Sequence, residues 1–182
     1  MSLARPLPSA PRWREVLMPT KNVQESKLGF LSGNVIRLIE INADTLADGL
    51  WARVENSPRL QRYRDRVPKE ELRQRAYEIY RHLGEWLQNT SESDVERRYV
   101  AVGERRAEQN VPLSQLILAI VATKEHLWEH ITDEALTDRA VDLFQVLELS
   151  RSVEKFFDRA IYFATIGHER HASAHRAVAA RS

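Results

Sequence analysis

The chain contains no cysteine. That excludes disulfide bonds, thiol catalysis and thiolate metal sites, and it fits a reducing compartment such as the cytoplasm. Glycine is scarce, at six residues in 182, so little is available for a phosphate-cradling loop, and no P-loop or other glycine-rich turn is present. No apolar run approaches the roughly 20 residues that cross a bilayer. The N-terminus carries Pro6, Pro8 and Pro11 and lacks the apolar stretch of a signal peptide. Excess charge is lacking too. Lys and Arg number 27 against 26 Asp and Glu, a net +1, and the two signs are interleaved, so no basic face points to nucleic acid. What remains is a chain of ordinary hydrophobic content, 43%, long enough for one domain with a sizeable core.

The pattern of that apolar content is helical almost throughout. Residues 1–31 read as a flexible, proline-rich arm in which Trp13, Val16, Leu17, Leu28 and Phe30 are the packing candidates. A first long helix is predicted from Ser32 or Asn34 to Glu55, on a stripe of Val35, Leu38, Ile39, Leu46, Leu50 and Val54 at three- and four-residue steps. Ser57-Pro58 ends it, because proline lacks a donor and clashes with the preceding turn. After a link with Leu60 and Tyr63 tucked inward, Pro68 starts a second helix. Glu70 and Glu71 suit its positive end, and it carries Leu72, Ala76, Ile79, Tyr80, Leu83, Trp86 and Leu87. Ser91 or Ser93 caps a third helix that runs to Glu108 with Val95, Tyr99 and Val102 inward. Pro112 opens a fourth, the most apolar and therefore central. Thr137 and Asp138 begin the last, whose stripe is Val141, Phe144, Leu147, Val153, Phe156, Phe157, Ala160, Ile161 and Phe163 or Ala164. Nothing alternates with period two for long enough to make a strand, and no internal repeat is present. The fold class is all-α: a helical bundle with a long C-terminal helix, a core domain over residues 32–167, and a helical extension or tail over 168–182.

Histidine offers the only conventional chemistry, and each occurrence has a plainer reading. His126-Leu127-Trp128-Glu129-His130 matches a zinc-peptidase string and puts two imidazoles on one helix face. No downstream acidic motif supplies a third ligand, however, and Leu127 and Trp128 belong to a core helix. His168, His171 and His175 recur at i, i+3 and i+7, a spacing that gathers a divalent metal when the imidazoles are neutral. The alanines and arginines between them read instead as a solvated tail. His82, beside Leu83 and Trp86, is the best remaining histidine for a cofactor face, with an ordinary structural role as the simpler alternative. No metal site and no catalytic residue is assigned.

Four blocks carry a resemblance. They are Pro68-Lys69-Glu70-Glu71-Leu72-Arg73, Tyr99 through Glu108, Val111-Pro112-Leu113-Ser114-Gln115-Leu116, and Phe156-Phe157-Asp158-Arg159-Ala160-Ile161-Tyr162. Over about Asn34 to Thr165 the chain resembles the N-terminal domain of RsbT co-antagonist proteins, sensory modules of the bacterial stressosome, and more distantly the globin-coupled sensors. The resemblance implies a globin-like fold and a cytoplasmic homodimer without cofactor or enzymatic activity. It also implies signalling through regulatory partner proteins, with neither nucleic acid nor membrane involved. No effector domain follows before Ser182, so either the module works alone or that domain has been separated from it.

In sensor globins a G-E-x-H pattern precedes a similar x-Pro-Leu break, and the histidine holds the iron. Here Gly103-Glu104-Arg105-Arg106 places Arg106 at that position, a permanent cation with no lone pair for a metal. Two readings of Arg106 follow: a salt-bridged helix end, or a side chain turned into a vestigial pocket to take a small anionic or polar ligand. Tyr80, His82, Tyr99 and Trp128 join it as pocket candidates, although the aromatics read equally well as core. A haem or other small-ligand sensor built on His82 is the competing function. Phe156, Phe157, Ala160, Ile161, Phe163 and Ala164 form an apolar band wide enough to meet a second copy of the same helix, with Gly167 as the place where that helix bends or ends.

Overall fold

The computed structural model describes residues 33–137, apart from Asn89, and 143–179. The proline-rich arm lies outside the described residues, as do the predicted helix start at Asp138 and Val141 of the last stripe. Within them the molecule is an all-α bundle, as its periodicity predicts. Helix α1 covers residues 33–41. Then come α2 (Ala43–Glu55), a single 3₁₀ turn (Pro58–Leu60), α3 (Gln61–Arg64), α4 (Lys69–Arg81), α5 (Leu83–Gln88), α6 (Glu92–Glu108), α7 (Leu113–Thr137) and α8 (Leu143–Ala179).

Each helix buries one stripe. Leu46, Ala47, Leu50 and Val54 face inward from α2, and Leu72, Ala76, Ile79 and Tyr80 from α4. Val95, Tyr99, Val102, Gly103 and Arg106 do so from α6. Leu116, Ala119, Ile120, Leu127 and Ile131 of α7 pack among them, which makes α7 the central element that its sequence predicts. α2 and α4 run antiparallel, tied at their surface by Arg73 to Asp44 and Asp48 and by Lys69 stacked over the Trp51 ring. Arg53 reaches from α2 to Glu125 and Glu129 of α7.

Several boundaries differ from the sequence reading. The predicted second helix is two helices, broken at His82, whose backbone leaves helical geometry at φ −118°. α1 crosses at the break, and its Glu40 carboxylate accepts the Gly84 N–H at 2.9 Å; a side chain at Gly84 would press on Ile36. The first predicted helix is interrupted at Asn42. Thr137, expected to open the last helix, instead lies at the end of α7, and Leu147 of the expected stripe is exposed while Leu149 is buried. Ser91 caps α6 as expected, its hydroxyl accepting the Asp94 N–H at 3.2 Å.

Among the described residues α6 and α8 come into backbone contact along a seam. The helices run in the same direction, since Glu92 meets Arg159 and Val100 meets Gly167 farther along both. Their backbones touch at two glycines. A Cβ on Gly103 would lie 2.0 Å from the Ala164 carbonyl oxygen, and one on Gly167 would lie 2.0 Å from that of Val100. Gly167 is therefore not a bend or an end. α8 continues through it to Ala179, and the missing side chain is what lets the two backbones meet.

Candidate functional site

The α6 helix ends in a tight reversal. Asn110 takes the left-handed conformation, φ 57°. Its N–H reaches the Ala107 carbonyl at 2.9 Å, and the Val111 N–H reaches that of Arg106 at 2.9 Å, a Schellman closure. Pro112 then leads into α7, whose Gln115 side chain clamps the link after α2. It accepts the Tyr63 N–H at 3.2 Å and donates to the Arg59 carbonyl at 2.8 Å. His168 closes the corner from α8, its Nε2 2.8 Å from the Val111 carbonyl. A carbonyl only accepts, so that nitrogen carries the proton.

Inside this corner lies Arg106, 1% exposed. Its side chain pairs with a carboxylate and points inward. Nε donates to the Tyr63 hydroxyl at 3.1 Å, and Nη1 donates to Gln109 at 2.8 Å and to Glu71 of α4. Glu71 is also gripped by Arg105 through a two-pronged fork, at 2.6 and 3.1 Å, and by Gln109 at 2.9 Å. Burial pushes the Glu71 carboxyl up, but the hydrogen bonds from Arg105, Arg106 and Gln109 overcome it and hold the group down at about 2. Burial likewise opposes the Arg106 charge, and the Tyr63 oxygen and Glu71 more than offset it. Burial raises the Tyr63 phenol, which stays a neutral partner.

Beside Arg106 is a narrow cavity of about 40 Å³ between α2, α4, α6, α7 and α8. Among the residues lining it are Leu50, Ile79, Tyr99, Val102, Ile120, Thr123 and Phe157, together with Tyr63, Arg75 and Arg106. Two of the expected pocket residues, Arg106 and Tyr99, thus reach the same void. The others do not. Tyr80 is buried against the His126 ring, with its hydroxyl unpartnered, and Trp128 is half-buried on the outer core. His82 is a correction: its side chain is 58% exposed, 3.7 Å from Glu85, because the helix break at that residue turns it outward. It lines a separate open surface cleft with Glu78, Trp86 and Arg98.

The residues do not fit a tetrapyrrole. The side chain at the expected iron position is a cation without a lone pair, and the void beside it is far below the several hundred Å³ of a cofactor pocket. Nor do the histidine strings assemble a metal centre. The His126 Nε2 is engaged with the Leu46 carbonyl at 3.1 Å, and His168 with Val111. Among the described residues no three of His, Cys, Asp and Glu gather to hold a metal ion. The His175 side chain lies outside them.

The apolar band of α8 is a second correction. Phe156, Phe157, Ala160, Phe163 and Ala164 are buried within their own chain, Phe156 edge-on to Tyr99 and Phe157. They form the α8 side of the internal seam and present no surface to a second copy. Ile161 alone of the six stays partly accessible, beside Tyr162 at 62% exposure.

Sequence reasoning missed Glu71, Gln109 and Arg75 as members of the site. Glu71 is legible only as a favourable charge in a first turn; its partner lies 35 positions away, and no local spacing connects them.

Among the described residues Arg106 is the most deeply buried charged side chain of this all-α bundle. The family of RsbT co-antagonist protein RsbRD N-terminal domains matches residues 42–181, and the chain belongs to that family of regulatory signalling domains. No curated protein and no solved structure matches it. No helix among the described residues is long and apolar enough to cross a membrane.

Proposed function

We propose that this chain is a non-enzymatic sensory and regulatory module of the stressosome type: a globin-like, cytoplasmic homodimer that works without haem and passes its signal to partner proteins by rearranging its helices. The observation that carries this reading is the filled interior. Arg106 stands where a sensor globin holds iron, its guanidinium is engaged by Tyr63, Glu71 and Gln109, and only about 40 Å³ remains beside it. Signal transfer then rests on helix packing. A partner or ligand that prefers one arrangement shifts the population toward it, and the α6–α7 corner, pinned by His168 of α8, ties the long C-terminal helix to the core. For self-association the described residues of α8 offer accessible apolar side chains such as Leu147, Ile161 and Tyr162, since Phe156, Phe157 and Phe163 are buried internally.

Light scattering on the purified chain tests the reading. It is expected to give twice the 21.1 kDa chain mass and to fall to a monomer in Tyr162→Asp without loss of helicity. Haemin added to the same sample is expected to produce no shifted Soret band. A monomeric wild type defeats the dimer mechanism, and a Soret band abolished by His82→Ala restores the haem alternative.

A further inference from the structure

The cavity beside Arg106 is unusual in the balance of its polar groups. Every lining residue is buried except Arg75, which is half-buried and so forms its contact with solvent. Arg75 has no hydrogen bond and no carboxylate within ion-pair distance among the described residues. Its neighbour Glu78, one turn along α4, is engaged with Arg98 of α6. Burial, and the like charges of Arg98 and Arg106, disfavour the Arg75 cation, yet an arginine does not discharge in a protein. The Tyr99 hydroxyl, deep on the same lining, has no partner among the described residues either, and burial raises its phenol so that it stays a donor. Arg106 commits Nε and Nη1 and leaves Nη2 without an acceptor. Thr123 donates to the Ala119 carbonyl. Glu71 already accepts from three side chains. Donors therefore meet at a void whose lining contains no carboxylate, and Arg75 is a cation with no carboxylate of its own.

We propose that this cavity is a binding site for a small, singly charged, weakly hydrated anion of the size of bromide, chloride or nitrate, held by Arg75, Tyr99 and Arg106. A single charge is expected because, of the two guanidiniums on the lining, only Arg75 lacks a carboxylate contact. Size sets the limit, since a volume of about 40 Å³ holds two or three waters or one such ion, and no organic ligand with a body of its own. The anion would tie α4 to α6 at the point where Glu71 and Arg106 already join them. Its occupancy would therefore stiffen the corner from which α7 and α8 are held. That consequence for signalling rests on the regulatory reading above; the binding itself does not, and is measured without any partner protein.

The test is thermal unfolding of the full chain at constant ionic strength, exchanging fluoride for bromide or nitrate. A saturable rise of roughly 3–6 °C at ten times the dissociation constant is expected, with no rise in Arg75→Met and a weaker one in Tyr99→Phe. An equal rise in Arg75→Met, or a rise in wild type that tracks salt without saturating, overturns the site. Should Arg75→Met fail to fold, bromide anomalous diffraction from the wild-type protein decides: a peak within hydrogen-bond distance of Arg75 and Tyr99 supports it, and water alone in the cavity overturns it. A dimer that forms with no anion effect would leave the proposed function standing and this site refuted.

Discussion

Gly103 and Arg106 lie on one face of α6, less than a turn apart, and join that helix to its neighbours by opposite means. At Gly103 the contact with α8 is backbone on backbone, 2.0 Å from where a Cβ would begin, and depends wholly on shape. At Arg106 the contact with α4 is charge on charge, with the guanidinium buried and the Glu71 carboxylate only partly exposed. A seam made by shape tolerates no added atom. A corner made by charge tolerates the loss of both partners far better than the loss of one, because a lone buried ion keeps its desolvation cost and loses its compensation.

The largest expected effect therefore comes from unbalancing the corner. Glu71→Ala leaves Arg106 buried with only Tyr63 and Gln109, and should cost about 4 kcal/mol in chemical denaturation. The paired change Glu71→Leu with Arg106→Met should recover most of that. Equal damage from the single and double variants would mean that the corner holds by packing, and the contrast with the seam would fail.

Acid probes the same corner more gently. The Glu71 carboxyl sits at about 2 against an ordinary 4.5. A depressed carboxylate contributes stability that is fully present above its unfolded value and is lost as pH falls toward its folded one. Between about pH 4.5 and 2 the chain should therefore lose on the order of 3 kcal/mol through this group alone. The slope over that window should be shallower in Glu71→Gln than in wild type. Parallel slopes would remove Glu71 from the account.

The seam should respond to the smallest change available. Alanine favours a helix over glycine by up to about 1 kcal/mol, yet Gly103→Ala or Gly167→Ala should lower stability by about 2 kcal/mol net, because α6 and α8 must separate to admit the methyl group. A variant as stable as wild type would show that the helices part freely there.

Much of the fold was legible in advance because its signals are local. Pro58, Pro68 and Pro112 punctuate the chain through their missing donors, Ser91 caps through its own hydroxyl, and the 3.6-residue stripes name the buried faces of α2, α4, α6 and α7. The break at His82 was not legible, because α1 imposes it from outside through Glu40 and Ile36. The site was half legible. Arg106 could be singled out by its type and position, and Tyr99 by its stripe, but the carboxylate that makes burial of Arg106 tolerable comes from another helix.

By itself, then, the sequence determined that this chain is a helical bundle, which face of each helix is apolar, and that a permanent cation, Arg106, stands near the end of α6. Only the tertiary structure decided what each face meets: that Phe156 and Phe157 pack inside their own chain, that Gly167 is a point of contact and not a hinge, and that Arg106 is neutralised while Arg75 is not. Periodicity reports which residues share a side of a helix. Whether a buried charge or a bare backbone is stable depends on atoms that only folding brings within a few ångström.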